Sequence, residues 1–143
     1  MIKTARILFY TVSFMLVLTG IVYVFNPRLM RYHYHFLGVT PEQIDQRVFI
    51  LFQTAKQITG GCMLGIGAAL AIMTKNMHIR PELHLPAMAA LTTVSLLISF
   101  YAVLRAGETF PIALVAACMT LLAAGFLLLW LGRSEFFGRS EES

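Results

Sequence analysis

The chain has 143 residues, 58% of them hydrophobic and 13% charged, where a soluble domain carries about 25% charged residues. A water-soluble fold of this length cannot hide so much apolar surface, so the composition points to lipid as the solvent. The net charge of +4 does not mark a nucleic-acid protein: Lys and Arg stand at the ends of apolar runs, and no basic patch is interleaved with aromatics.

Residues 7–25 form the first apolar run, preceded by Lys3 and Arg6 and closed by Asn26-Pro27. The run is longer than the ~7–15 residues of a signal-peptide core and no small-x-small cleavage site follows, so it reads as a retained helix. Between residues 26 and 40 aromatic and basic residues alternate. Arg31, Tyr32, His33, Tyr34 and His35 are expected at the headgroup layer, in a short interfacial helix or loop that Gly38 ends.

A helix start is expected at Thr40-Pro41-Glu42-Gln43, with Thr40 as N-cap, Pro41 in the first helical position and Gln43 closing a capping box. From there the pattern runs unbroken over residues 41–74. Such a helix approaches ~50 Å against a ~30 Å hydrocarbon core, so its first two turns should project out of the hydrocarbon. A polar connection precedes the third run, residues 83–104. Arg105-Ala106-Gly107-Glu108 makes a tight turn into the fourth, residues 110–131. The polar segment 133–143 has little to bury and reads as a mobile tail.

Each run reaches the ~20 residues that span a bilayer, and none alternates as a barrel strand does. The fold class expected is all-α: one domain over residues 1–132, an integral membrane four-helix bundle with a short interfacial segment between its first two helices. Basic residues set orientation. Lys3, Arg6, Lys75, Arg80, Arg133 and Arg139 flank one side and Arg28, Arg31, Arg47 and Arg105 the other, which favours both termini inside, in a cell membrane such as a bacterial inner membrane.

The second helix carries most of the chemistry. Glu42, Gln46, Gln53, Lys56, Gln57 and Gly60 recur at helical spacing and are expected to turn toward the bundle or a wet cavity. Lys56 lies roughly two turns inside the expected outer boundary. Three readings stay open for it: snorkelling to the surface, pairing with a carboxylate (Glu108 first, Asp45 or Glu42 otherwise), or binding an anion or headgroup. A ligand-binding or polar bundle site would then comprise Gln53, Lys56, Gln57, Glu108 and Arg47. Gly60, Gly61, Gly65 and Gly67 are read as helix-packing residues, with Gly61 and Gly65 forming the GxxxG step.

No metal site is expected. His33 and His35 would face one way only in an extended segment, and further ligands are not near them in sequence. His78 and His84 flank a loop, which argues against haem. Cys62 and Cys118 lie inside apolar runs and are read as buried thiols filling space. Ser95 and Ser99 are expected to bond back to their helix or to a neighbour. No nucleophile or carboxylate dyad with a base stands out, so catalysis is not expected.

The order of features resembles the small DoxX-like four-helix membrane proteins. The basic N-terminus and first helix closed by Asn26-Pro27, then Gly38, Arg47, Gly60-Gly61 to Gly67, and Arg105-x-Gly107 through Pro111 carry the likeness. The resemblance implies the four-helix fold, and for function a link to quinol oxidase subunits and to redox or assembly roles. Two functions follow. One is a non-catalytic accessory, assembly or regulatory subunit that meets a membrane protein partner or a second copy through its helices and outer segment. The other is a quinone- or lipid-linked redox protein, or a small-solute passage, using the Gln53–Lys56–Gln57 face, with quinone as the cofactor that face would take.

Overall fold

The structure, a computed structural model, describes residues 1–29, 31–79, 81–106 and 109–132. It is all-helical, with no strand among the described residues. The elements are α1 (Ile2–Phe25), α2 (Arg31–Leu37), α3 (Gln46–Asn76), α4 (Pro81–Ala106) and α5 (Thr109–Leu131). All but α2 are long and apolar enough to cross a membrane, with mean hydropathy of 2.2, 1.5, 2.0 and 2.6 in chain order. No more than 28% of each apolar window is buried inside the molecule. Ile7, Phe14, Phe25, Leu51, Ile98 and Trp130 all face outward. Such a surface is stable only against hydrocarbon.

Packing starts from α1. Ala5, Phe9, Val12 and Leu16 are buried at spacings of three and four, and so form one stripe. α1 meets α3 most extensively and α5 next, while α4 packs more lightly against α5 and α3. Phe9 fills the notch at Gly125 of α5, where an added Cβ would stand 2.8 Å from its ring, and tilts at 58° against Phe126 with centroids 5.1 Å apart.

Two boundaries differ from the sequence-based expectation by more than two residues. The second spanning helix begins at Gln46 rather than Pro41, capped by Asp45, whose Oδ1 accepts from the Arg47 N–H at 2.8 Å. Pro41 lies in a separate turn: Gln43 N–H donates to the Thr40 carbonyl at 3.0 Å, and Gln43 Oε1 accepts from Thr40 N–H at 3.1 Å. Half of the capping box therefore forms, but it closes a turn and not a helix. The first helix begins at Ile2, earlier than its apolar run, because nothing in Lys3 to Arg6 breaks it. The segment 133–143, read from sequence as a mobile tail, lies outside the described residues.

Candidate functional site

The α1–α3 pair is antiparallel, and its seam is built from small residues. A Cβ on Gly60 would stand 2.7 Å from Tyr23 Cβ and 2.9 Å from the Gly20 carbonyl oxygen. A Cβ on Gly67 would stand 2.8 Å from Val17 Cγ2 and 3.0 Å from the Ser13 carbonyl oxygen. Ser13 Oγ donates across the seam to the Gly67 carbonyl at 2.7 Å. Small side chains let the two backbones touch, which is how helices associate where lipid supplies no hydrophobic push.

Following that seam outward, α3 runs past the end of α1. Its 31 residues measure about 46 Å against about 36 Å for the 24 of α1. Lys56 therefore stands beside the C-terminus of α1, level with the Asn26-Pro27-Arg28 loop. Its ammonium donates to the carbonyl oxygens of Asn26 and of Arg28, the latter at 2.8 Å. Gln53 Nε2 donates to the same Asn26 carbonyl at 3.1 Å. Asn26 Oδ1 meanwhile accepts from Arg28 N–H at 2.9 Å, an Asx-turn that holds the loop in shape. A cation at this end of α1 also meets the negative pole of the helix.

Lys56 is only 3% exposed. Its ammonium is neither in water nor, among the described residues, on a carboxylate; it is solvated by main-chain carbonyl dipoles. Of the three sequence readings, snorkelling and a carboxylate pair to Asp45 or Glu42 are not what the structure holds, and Glu108 lies outside the described residues. The reason is geometric: Asp45 is about three turns of α3 away, and Glu42 sits in the exposed turn before the helix. There the Glu42 carboxyl is held below its usual range by a backbone hydrogen bond first and by the Thr40 side chain second.

The other residues singled out from the sequence scatter. Gln57 is exposed on α3, turned away from Lys56, and Arg47 is exposed in the first turn of the helix. The four glycines divide. Gly60 and Gly67 pack, whereas nothing lies within 4 Å of a Cβ on Gly61 or Gly65. The GxxxG step is thus not a contact within this chain, because it faces about 100° or more away from the α1 seam. Cys62, expected to be buried, is exposed beside that step, while Cys118 is buried in α5.

At the outer end, Arg31 and His35 are exposed, His33 and Tyr34 are half-buried, and the Tyr32 side chain lies outside the described residues. Because the segment is helical, His33 and His35 point to different sides. His33 meets Phe52 of α3 edge-on at 6.3 Å, folding α2 back onto the protruding end of α3. Gly38 ends α2 at φ +64°, a left-handed conformation that glycine adopts at no steric cost.

Comparison with protein-family models, with curated proteins and with solved structures finds no match in any of the three.

Two features of the interior were invisible in the sequence. One is the Lys56 clamp, whose acceptors are main-chain carbonyls and so leave no residue signature. The other is a cleft of about 510 Å³ within the half of the bundle nearer α2, with walls from all four spanning helices, Leu18, Thr59, Ile98 and Leu114 among them. A heptad spacing shared by Ser13/Gly20 and Gly60/Gly67 was the signal that could have found the seam.

Proposed function

We propose that this protein is a non-catalytic accessory, assembly or regulatory subunit that works by presenting helix surface to a partner within the membrane. The observation that carries the reading is the outer face of α3. Gln57, Gly61, Gly65 and Ala68 lie on it at spacings of four and three, and all are exposed. The Gln57 side chain makes no hydrogen bond to another described residue. An amide at a lipid-facing position gains from a partner's polar group, and small residues one turn apart let a second helix approach closely. Both features are complete on this surface and neither is used inside the chain. Of the polar groups that a redox site on α3 would use, the Lys56 ammonium and the Gln53 amide nitrogen are, by contrast, taken up by the α1–α2 loop, while the buried Gln53 Oε1 has no hydrogen-bond partner among the described residues.

The same reading places the chain, by its sequence resemblance, beside DoxX-like proteins of a bacterial inner membrane, with both termini cytoplasmic. Basic flanks support that orientation.

The test is a double variant, Gly61→Leu with Gly65→Leu, purified in mild detergent beside the native protein. We expect unchanged thermal unfolding and loss of a stoichiometric partner, whether another membrane protein or a second copy. A partner retained at native stoichiometry, or a native protein that is strictly monomeric and alone in lipid, would end this reading.

A further inference from the structure

The α2-side cleft has a chemistry of its own. Its volume of about 510 Å³ falls in the ~300–1,000 Å³ range of small-molecule sites. It opens among the four spanning helices, on α3 and α4 in the halves remote from their shared turn, and Thr59, Ile98 and Ala102 of its wall are exposed, so it is reached sideways from lipid. No charged residue is among the described residues that line it. A narrower void of about 40 Å³ shares Thr19, Met63 and Ser99 with it and continues toward Thr92, Ser95 and Cys118 at the bundle centre.

The serine and threonine hydroxyls along this path share one property, each spending its proton on its own helix, and Tyr23 adds a phenol to the wall. Thr19 donates to the Met15 carbonyl at 2.7 Å, Thr59 to Ala55 at 2.9 Å and Ser99 to Ser95 at 2.8 Å. Deeper in, Thr92 donates to Met88 at 2.6 Å and Ser95 to Leu91 at 2.7 Å. A hydroxyl has one donor and two acceptor lone pairs. What Thr19, Thr59 and Ser99 present to the cleft, and Thr92 and Ser95 to the void beyond it, is therefore acceptor capacity.

We propose that the cleft binds a membrane lipid alcohol: an uncharged molecule with a long apolar body and one hydroxyl that donates to Thr19 or Ser99. The apolar walls take the body. A carboxylate or phosphate head is disfavoured because no cation is among the described residues that line the cleft, and an ether because it brings no proton to Thr19 or Ser99, whose own protons are already spent. The site is independent of the Gln57–Gly61–Gly65 face, since Thr59 and Met63 lie on the other side of α3 from Gly61 and Gly65.

The experiment uses the full chain in phosphatidylcholine vesicles and three photoactivatable probes of equal length: a diazirine-bearing hexadecanol, its methyl ether and the corresponding fatty acid. The alcohol is expected to label the Met63 and Ile98–Ala102 segments about five- to tenfold more than the ether, the effect of one neutral hydrogen bond, and more than the acid. Ala102→Trp, which fills the cleft from an exposed position, should abolish that labelling, while Ile72→Trp on the lipid face should not. Ser99→Ala with Thr19→Val keeps the space and removes the acceptors; both neutral probes should then label equally. Equal labelling by alcohol and ether in the native chain, labelling unmoved by Ala102→Trp, or a cross-link showing a second copy's helix seated in the cleft would each overturn the proposal.

Discussion

The ammonium of Lys56, ten residues into α3, is bound to the Arg28 carbonyl just beyond the end of α1 at 2.8 Å, and to that of Asn26 before it. The pair ties the first interhelical loop to the second spanning helix, and so sets where α2 leaves the bundle. A lysine for which the sequence leaves three readings open is thus tied to two main-chain carbonyls in the folded chain.

Replacing it should therefore cost stability and loop order before anything else. Hydrogen bonds to a charged group contribute about 1.5–3 kcal/mol each, so Lys56→Met is expected to lose at least about 2 kcal/mol in reversible unfolding in detergent. Proteolysis between Asn26 and Arg31 should quicken in parallel. Unchanged stability with a still-protected loop would contradict the clamp.

The glycines give a sharper contrast. Gly60→Ala drives a methyl to 2.7 Å from Tyr23 Cβ and 2.9 Å from a main-chain oxygen that cannot step aside. Overpacking of this kind costs about 1–3 kcal/mol. Gly65→Ala meets nothing within 4 Å and removes the flexibility penalty of a mid-helix glycine, worth about 0.5–1 kcal/mol. The first variant should melt lower than the native chain and the second equal or higher, read by thermal unfolding of the two side by side.

Ser13→Ala deletes the hydrogen bond from α1 to the Gly67 carbonyl without leaving a large void. Interhelical bonds in membranes average about 0.6 kcal/mol, so a loss of that order is expected in the same assay. A loss of several kcal/mol would mean that the hydroxyl organises more of the seam than this one bond.

Gly38→Val forces a branched side chain into φ +64°, at a cost of about 1–2 kcal/mol. Nothing packs around that position, so the effect should stay local. Circular dichroism of the whole chain should barely change, while amide exchange in α2 accelerates.

Glu42 supplies a pH dependence. Its carboxyl is lowered in the folded chain by hydrogen bonds to the ionised form. A depressed folded value means the stabilisation is present at neutral pH and is lost as acid takes the pH down through that value. Glu42→Gln should remove this acid sensitivity of the Thr40–Gln43 turn, followed by the amide shifts of Thr40 and Gln43 against pH.

Run lengths and hydropathy alone were enough to place four spanning helices, since the thickness of hydrocarbon and the need to satisfy every backbone group leave few other solutions. Gly38 as terminator and the back-bonded Ser95 and Ser99 were legible for equally local reasons. Rotation of the helices about their own axes was legible only in part. The polar stripe of α3 pointed Gly60 toward the bundle, but beyond it the helix is apolar all round, and composition there did not separate Gly67 from Gly61 and Gly65. Only the fit of α3 against Ser13, Val17 and Gly20 of α1 decided that. The same fit brought Lys56 to carbonyls some thirty residues away in sequence, and it left a cleft that no run of letters encodes, because a void is a property of four surfaces at once.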